Sequence, residues 1–120
     1  MRALSFNPFV IFSVPADELE GVVHRLELLH IRTQVVDGCY GGIEEQSVLV
    51  DGIHRDLAID IAKSFGEEAI LEVDAQRNAF FLYIDSGEKK SIGEWSKAKN
   101  GVDYLNWTQD RNTGIKWVTR

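Results

Sequence analysis

Apolar positions along this chain fall mostly in short alternating or continuous runs, and only two stretches carry them at helical spacing. "ALSFNPFVIF" combines aromatic and β-branched residues and predicts a strand, interrupted or bulged at Asn7-Pro8. Ser13 and Pro15 then precede Asp17, Glu18 and Glu20. Proline is tolerated in a first turn and acids complement the helix dipole, so a helix is predicted to start here. Leu19, Val22, Val23, Leu26 and Leu29 follow as one apolar stripe, with His30 and Arg32 near the end where cations are favoured.

"TQVVDGCY" and "EQSVLV" read as two strands around Gly41-Gly42. "HRDLAIDIAKSFG" reads as a second helix, with Leu57, Ala58, Ile61, Ala62 and Phe65 on one face and Gly66 as its C-terminal cap. "AILEV" and "AFFLYI" read as a hairpin joined by "DAQRN". After "DSGEKK", the segments "DYLNW" and "IKWVT" flank "TQDRNTG", which reads as a turn. The order βαββαββ plus a terminal hairpin predicts one α+β domain over residues 1–120. Its expected architecture is a mostly antiparallel sheet with two helices on one face, in ferredoxin-like (split βαβ) order with a C-terminal hairpin.

A chain of 120 residues can build a core without metals or disulfides. The single cysteine, Cys39, excludes an internal disulfide and fits a reducing compartment. "FVIFSV" is too short to span a bilayer, and the N-terminus lacks the features of a signal peptide, so a cytoplasmic protein is expected. The net charge of −6 is unevenly spread: residues 1–86 carry 15 acids against 6 bases, and residues 87–120 carry 4 against 7. Between Asp37 and Asp74 ten acids face only Arg55 and Lys63, a field that repels nucleic acid and steers basic partners.

Candidate chemistry concentrates in "DGCYGGIEEQSVLV". Its glycines lead into a strand, not a helix, and no lysine is adjacent, which argues against a phosphate cradle. In an extended strand Glu45, Ser47 and Leu49 share a face. Glu45 or Ser47 accepting amides of the glycine turn is the structural reading. A small-ligand or catalytic pocket at Tyr40, Glu45 and Ser47 is the alternative. No metal or cofactor is expected, because His24, His30 and His54 are not placed to converge and neighbouring glutamates diverge. Cys39 reads as a small buried hydrophobe. Trp95, Trp107 and Trp117 share the basic tail with Lys97, Lys99, Arg111 and Lys116. Aromatics among bases can stack on single-stranded nucleic acid, but their commoner role is to close a sheet over a core.

The pattern Gly38-x-Tyr40-x-Gly42-x-x-Glu45-x-Ser47-x-x-Val50, followed by Ala58, Ala62 and "FGEEA", resembles a family of small bacterial and phage proteins of unknown function. "SFNPF" is similar to its early Asn-Pro strand, and Glu67 stands where that family more often has glutamine. The resemblance implies a phage or mobile-element origin, in which short accessory proteins bind host machinery. The expected function is therefore a non-enzymatic accessory protein that docks on a basic host protein, with inhibition of a defence or nucleic-acid-processing enzyme as one such role. Its expected surface is Glu44, Glu45, Asp51, Asp56, Asp60, Glu67 and Glu68. No membrane partner is expected, nucleic acid is disfavoured, and the oligomeric state is open.

Overall fold

The computed structural model describes residues 7–99, 104 and 106–119. The elements run β1 (Phe9–Ser13), α1 (Leu19–Leu28), β2 (Thr33–Tyr40), β3 (Ile43–Asp51), a 3-10 turn (Gly52–His54) and α2 (Arg55–Ser64). They continue as β4 (Ala69–Val73), β5 (Asn78–Tyr83), β6 (Lys89–Lys97), β7 (Trp107–Asp110) and β8 (Lys116–Thr119). Among the described residues no helix is long and apolar enough to cross a membrane.

The strands close into a barrel in the order β1-β3-β2-β7-β8-β6-β5-β4, with β4 pairing back onto β1. Each neighbouring pair is antiparallel. This corrects the expected ferredoxin-like sheet. An open sheet leaves two edge strands with unpaired backbone groups, and closure removes them. Here the terminal hairpin does so, because β7 pairs with β2 while β8 pairs with β6. The expected strand "DYLNW" is also corrected: only Trp107 of it lies in β7, Tyr104 and Asn106 are not in a strand, and its other two residues fall outside the described ones. Thr108, Gln109 and Asp110, read as turn, are strand.

Alternation along the strands sends side chains to two cores. Phe9 and Ile11 join Val36, Leu49, Leu71, Val73, Ala79 and Trp95 inside the barrel, with Tyr40, Phe81, Ile92 and Trp117 packed against them. Val10 and Phe12 point outward, where Val48, Val50, Ile70 and Leu82 meet Val22 and Leu26 of α1 and Ala58, Ile61 and Ala62 of α2. Burying a large apolar side chain contributes about 1.5–3 kcal/mol, so this outer core, shared by both helices and the barrel wall, explains how ten-residue helices hold their places. Leu29, expected on the α1 stripe, caps the helix and is 54% exposed. Gly41 and Gly42 both take positive φ, as a two-residue hairpin between Tyr40 and Ile43 requires.

Candidate active site

Unequal strand lengths open the barrel wall. β1 has five residues and its last, Ser13, pairs with Ser47, whereas β3 begins four residues earlier, at Ile43. The chain leaves β1 with Val14 N–H donating to Gln46 O (3.2 Å) and turns away at Pro15. A notch remains beside the start of β3, and Ser13, Glu45 and Glu67 line both an outer cleft of about 650 Å³ and an inner chamber of about 100 Å³. The chamber is otherwise lined by Tyr40, Ser47, Phe81 and apolar residues of β1 and β4. The cleft extends over Asp37, Glu44, Gln46, Trp107 and Gln109 to the rim formed by Pro15 and Ala16.

Local chemistry places each group. Glu67 is delivered by the end of α2: Gly66 takes φ +78°, its N–H donates to Lys63 O (3.0 Å), and Glu67 N–H donates to Ala62 O (3.1 Å). These two bonds satisfy carbonyls of the last helical turn and fix the exit of the chain. Strand alternation turns Glu45 and Ser47 inward. Ser13 Oγ donates to Glu45 Oε2, and the Ser13 and Ser47 hydroxyls lie 3.4 Å apart. Tyr40 packs edge-on against Phe81, with centroids 6.1 Å apart, and its hydroxyl hydrogen-bonds Thr108 Oγ1. Gly38 makes room for that ring, since a Cβ at this position would lie 2.8 Å from Tyr40 Cε2.

The site is anionic. Burial raises the pKa of Glu67, and the negative charge of Glu45 raises it further. Burial also pushes the Tyr40 phenol far up; the Thr108 hydrogen bond opposes this, and Glu45 and Cys39 add to it, so Tyr40 stays neutral. Asp37 is neutralised differently: Arg111 Nη2 lies 2.7 Å from its Oδ1 and Arg111 Nε lies 3.1 Å from both its oxygens. Arg111 Nη2 also donates to Gln46 Oε1 (3.2 Å). Among the described residues, the cleft's charge without an ion-pair partner is thus carried by Glu44, Glu45 and Glu67.

Tyr40, Glu45 and Ser47, grouped from the sequence, are brought together at the chamber. Glu45 does not cap the glycine turn: the Gly41 amide donates to Asn106 Oδ1 (2.9 Å), and Glu45 serves Ser13 instead. The seven acids expected on one surface are dispersed. Glu44, Glu45 and Glu67 share the cleft, while Asp51 ends β3, about 20 Å from Glu45 at ~3.3 Å per residue. Asp56 and Asp60 are exposed on α2, and Glu68 borders a separate groove with Tyr83 and Glu88. Cys39 is buried. Ser13, Thr108 and Gln109 were missed; the inward alternation of Ser13 after Phe9 and Ile11 was the available signal for the first.

A model described as the S-adenosylmethionine lyase family matches residues 16–120. No curated protein matches this chain. The matched family is a named one, which replaces the resemblance to a phage family of unknown function. A lyase family is a family of enzymes, so the match also overturns the expectation of a non-enzymatic accessory protein inhibiting a host defence enzyme.

Proposed function

The chain belongs to the S-adenosylmethionine lyase family, and we propose that it cleaves a carbon–sulfur bond of S-adenosylmethionine in the cleft at the barrel notch. The observation that carries this reading is the convergence of Glu45 and Glu67 where cleft and chamber join. A carboxylate whose proton affinity is raised by burial and by a neighbouring carboxylate, as that of Glu67 is by Glu45, is relieved by a cation. The substrate supplies two, a sulfonium and an ammonium. The cleft's volume, about 650 Å³, lies in the range of roughly 300–1,000 Å³ usual for small-molecule sites.

In a lyase reaction of this substrate the carbon–sulfur electron pair stays on sulfur, which leaves as a neutral thioether. The carbon is satisfied from within the substrate, by loss of a neighbouring proton or by ring closure, and no water is consumed. Positive charge at sulfur disappears as the bond breaks. A carboxylate held against sulfur would therefore stabilise the ground state more than the transition state. This assigns Glu45 and Glu67 to holding the ammonium of the amino-acid end, with the Ser13 hydroxyl fixing the Glu45 carboxylate. The apolar chamber wall of Ile70, Leu71 and Phe81 excludes water from the breaking bond and favours the less charged transition state.

The test is incubation with S-adenosylmethionine in ¹⁸O-labelled water, with early products separated by chromatography and weighed by mass spectrometry. A thioether and an unlabelled partner product are expected, and Glu45→Gln should lose most of the rate. Absence of conversion, or label in the first-formed product, overturns the reading.

A further inference from the structure

We infer that Trp107 is the platform on which the purine of the substrate stacks, an assignment that rests on the reading of the cleft as an S-adenosylmethionine site. Thr108 points inward to Tyr40, so Trp107, its neighbour in β7, faces the outer side of the wall with Asp37 and Gln109. Its ring lines the cleft and is partly exposed. Lys116 Nζ lies over the ring 4.3 Å from its centroid, covering one side with a cation. The base is assigned to the opposite side of the ring, Trp107 being a residue that borders the cleft. An indole backed by a cation and open to a cleft of nucleoside size fits a flat, electron-rich base.

The strand register gives the spacing. Cys39 pairs with Glu44 on one side and with Trp107 on the other, so Trp107 and Glu44 stand two strand spacings apart, about 10 Å. Glu45 follows directly, at the notch. A ribose with its 5′ carbon bridges that interval, so the base rests on Trp107 while the cationic end reaches Glu45 and Glu67. Trp107 contributes binding and orientation, not bond cleavage.

Adenosine, which has the base but neither cation, is the probe. It should quench tryptophan fluorescence of the wild type, and calorimetry should give a Kd that Trp107→Leu weakens about ten- to hundredfold, the range for losing one base–aromatic stack. Trp107→Phe keeps an aromatic face and should retain most of the affinity, which guards against misfolding as the cause. In turnover, Trp107→Leu should raise KM for S-adenosylmethionine more than it lowers kcat. A folded Trp107→Leu variant with wild-type Kd for adenosine and wild-type KM overturns the platform, even if cleavage is intact. Trp107-dependent adenosine binding in a protein that leaves S-adenosylmethionine whole upholds the platform and overturns the lyase reading.

Discussion

Glu45 and Glu67 meet at the barrel notch from elements that are distant in sequence, and the charge of Glu45 adds to burial in raising the Glu67 pKa. The pair stores repulsion that a cationic ligand relieves, at some cost to the empty protein.

The first prediction follows from the sign of that shift. The folded state holds the Glu67 proton more tightly than the unfolded chain does. Glu67 therefore favours folding below its ordinary pKa of 4.5, and this contribution is lost as pH rises through the raised value. Glu67→Gln should gain thermal midpoint relative to wild type above that window and lose the advantage below it. Cation affinity should move the opposite way, rising with pH as Glu67 ionises. Melting curves and binding isotherms across the acidic range, with both proteins, read the two effects; parallel pH profiles would contradict the pairing.

The second prediction separates structure from chemistry at Glu45. Removing its charge leaves Ser13 a neutral acceptor and frees Glu67 from repulsion. Glu45→Gln should keep the unfolding free energy of the wild type within about 1 kcal/mol, since a neutral hydrogen bond is worth roughly that much. It should still lose on the order of tenfold or more in kcat/KM, as forfeiting about 1.4 kcal/mol of substrate interaction does. Denaturant titration alongside initial rates checks both; a variant that unfolds while retaining its specific activity inverts the assignment.

The third prediction concerns a close approach. Gly38 has no Cβ because the Tyr40 ring occupies that space, at 2.8 Å from where a Cβ would sit. Gly38→Ala must push the ring off Phe81 and away from Thr108. Overpacking of this kind costs about 1–3 kcal/mol, and Tyr40→Phe should cost about 1 kcal/mol for the lost hydrogen bond. Chemical denaturation measures both. The phenol should also resist ionisation in an ultraviolet titration past its ordinary pKa of 10, because burial holds it neutral. Ordinary titration of all three tyrosines in the folded protein would contradict its burial.

Much of this was legible in the sequence, element by element. Both helices and the first five strands are marked by apolar periodicity or continuous apolar runs, alternation puts Glu45 and Ser47 on one face, and the glycine turn sets Tyr40 near them. β6 was not legible. "KKSIGEWSK" has only Ile92 and Trp95 as large apolar residues, and a register shift beside β5, near Gly93 with φ +109°, breaks the alternation. β7 was disguised because its inward positions, Thr108 and Asp110, are polar: one serves Tyr40, and the other accepts from Asn112 N–H and Thr113 Oγ in the following turn. Barrel closure rests on pairs far apart in sequence, such as Gly38 with Thr108, and leaves no local trace. Glu67 looked like one acid among ten until closure set it beside Glu45.

The last prediction tests closure itself. Trp95 is 1% exposed, edge-on to Phe9 at 5.2 Å, and stacked on Trp117 at 6.2 Å with planes 10° apart. Trp117 belongs to β8, whose pairing with β6 seals the wall that β7 continues onto β2. Trp117→Ala removes one ring of the stack and part of the lid over Trp95, and should destabilise by about 2–4 kcal/mol from lost burial and ring pairing together. Deleting residues 106–120 goes further. It exposes Trp95 and frees the edges of β2 and β6, so the remaining chain should show no cooperative melt and a red-shifted tryptophan emission. If these strands were only an arm for nucleic acid, the shortened chain would melt as wild type does and lose affinity for single-stranded oligonucleotides instead. Two strands that join the ends of one continuous wall cannot be removed that cheaply, and a differential scanning trace of the truncated protein decides it.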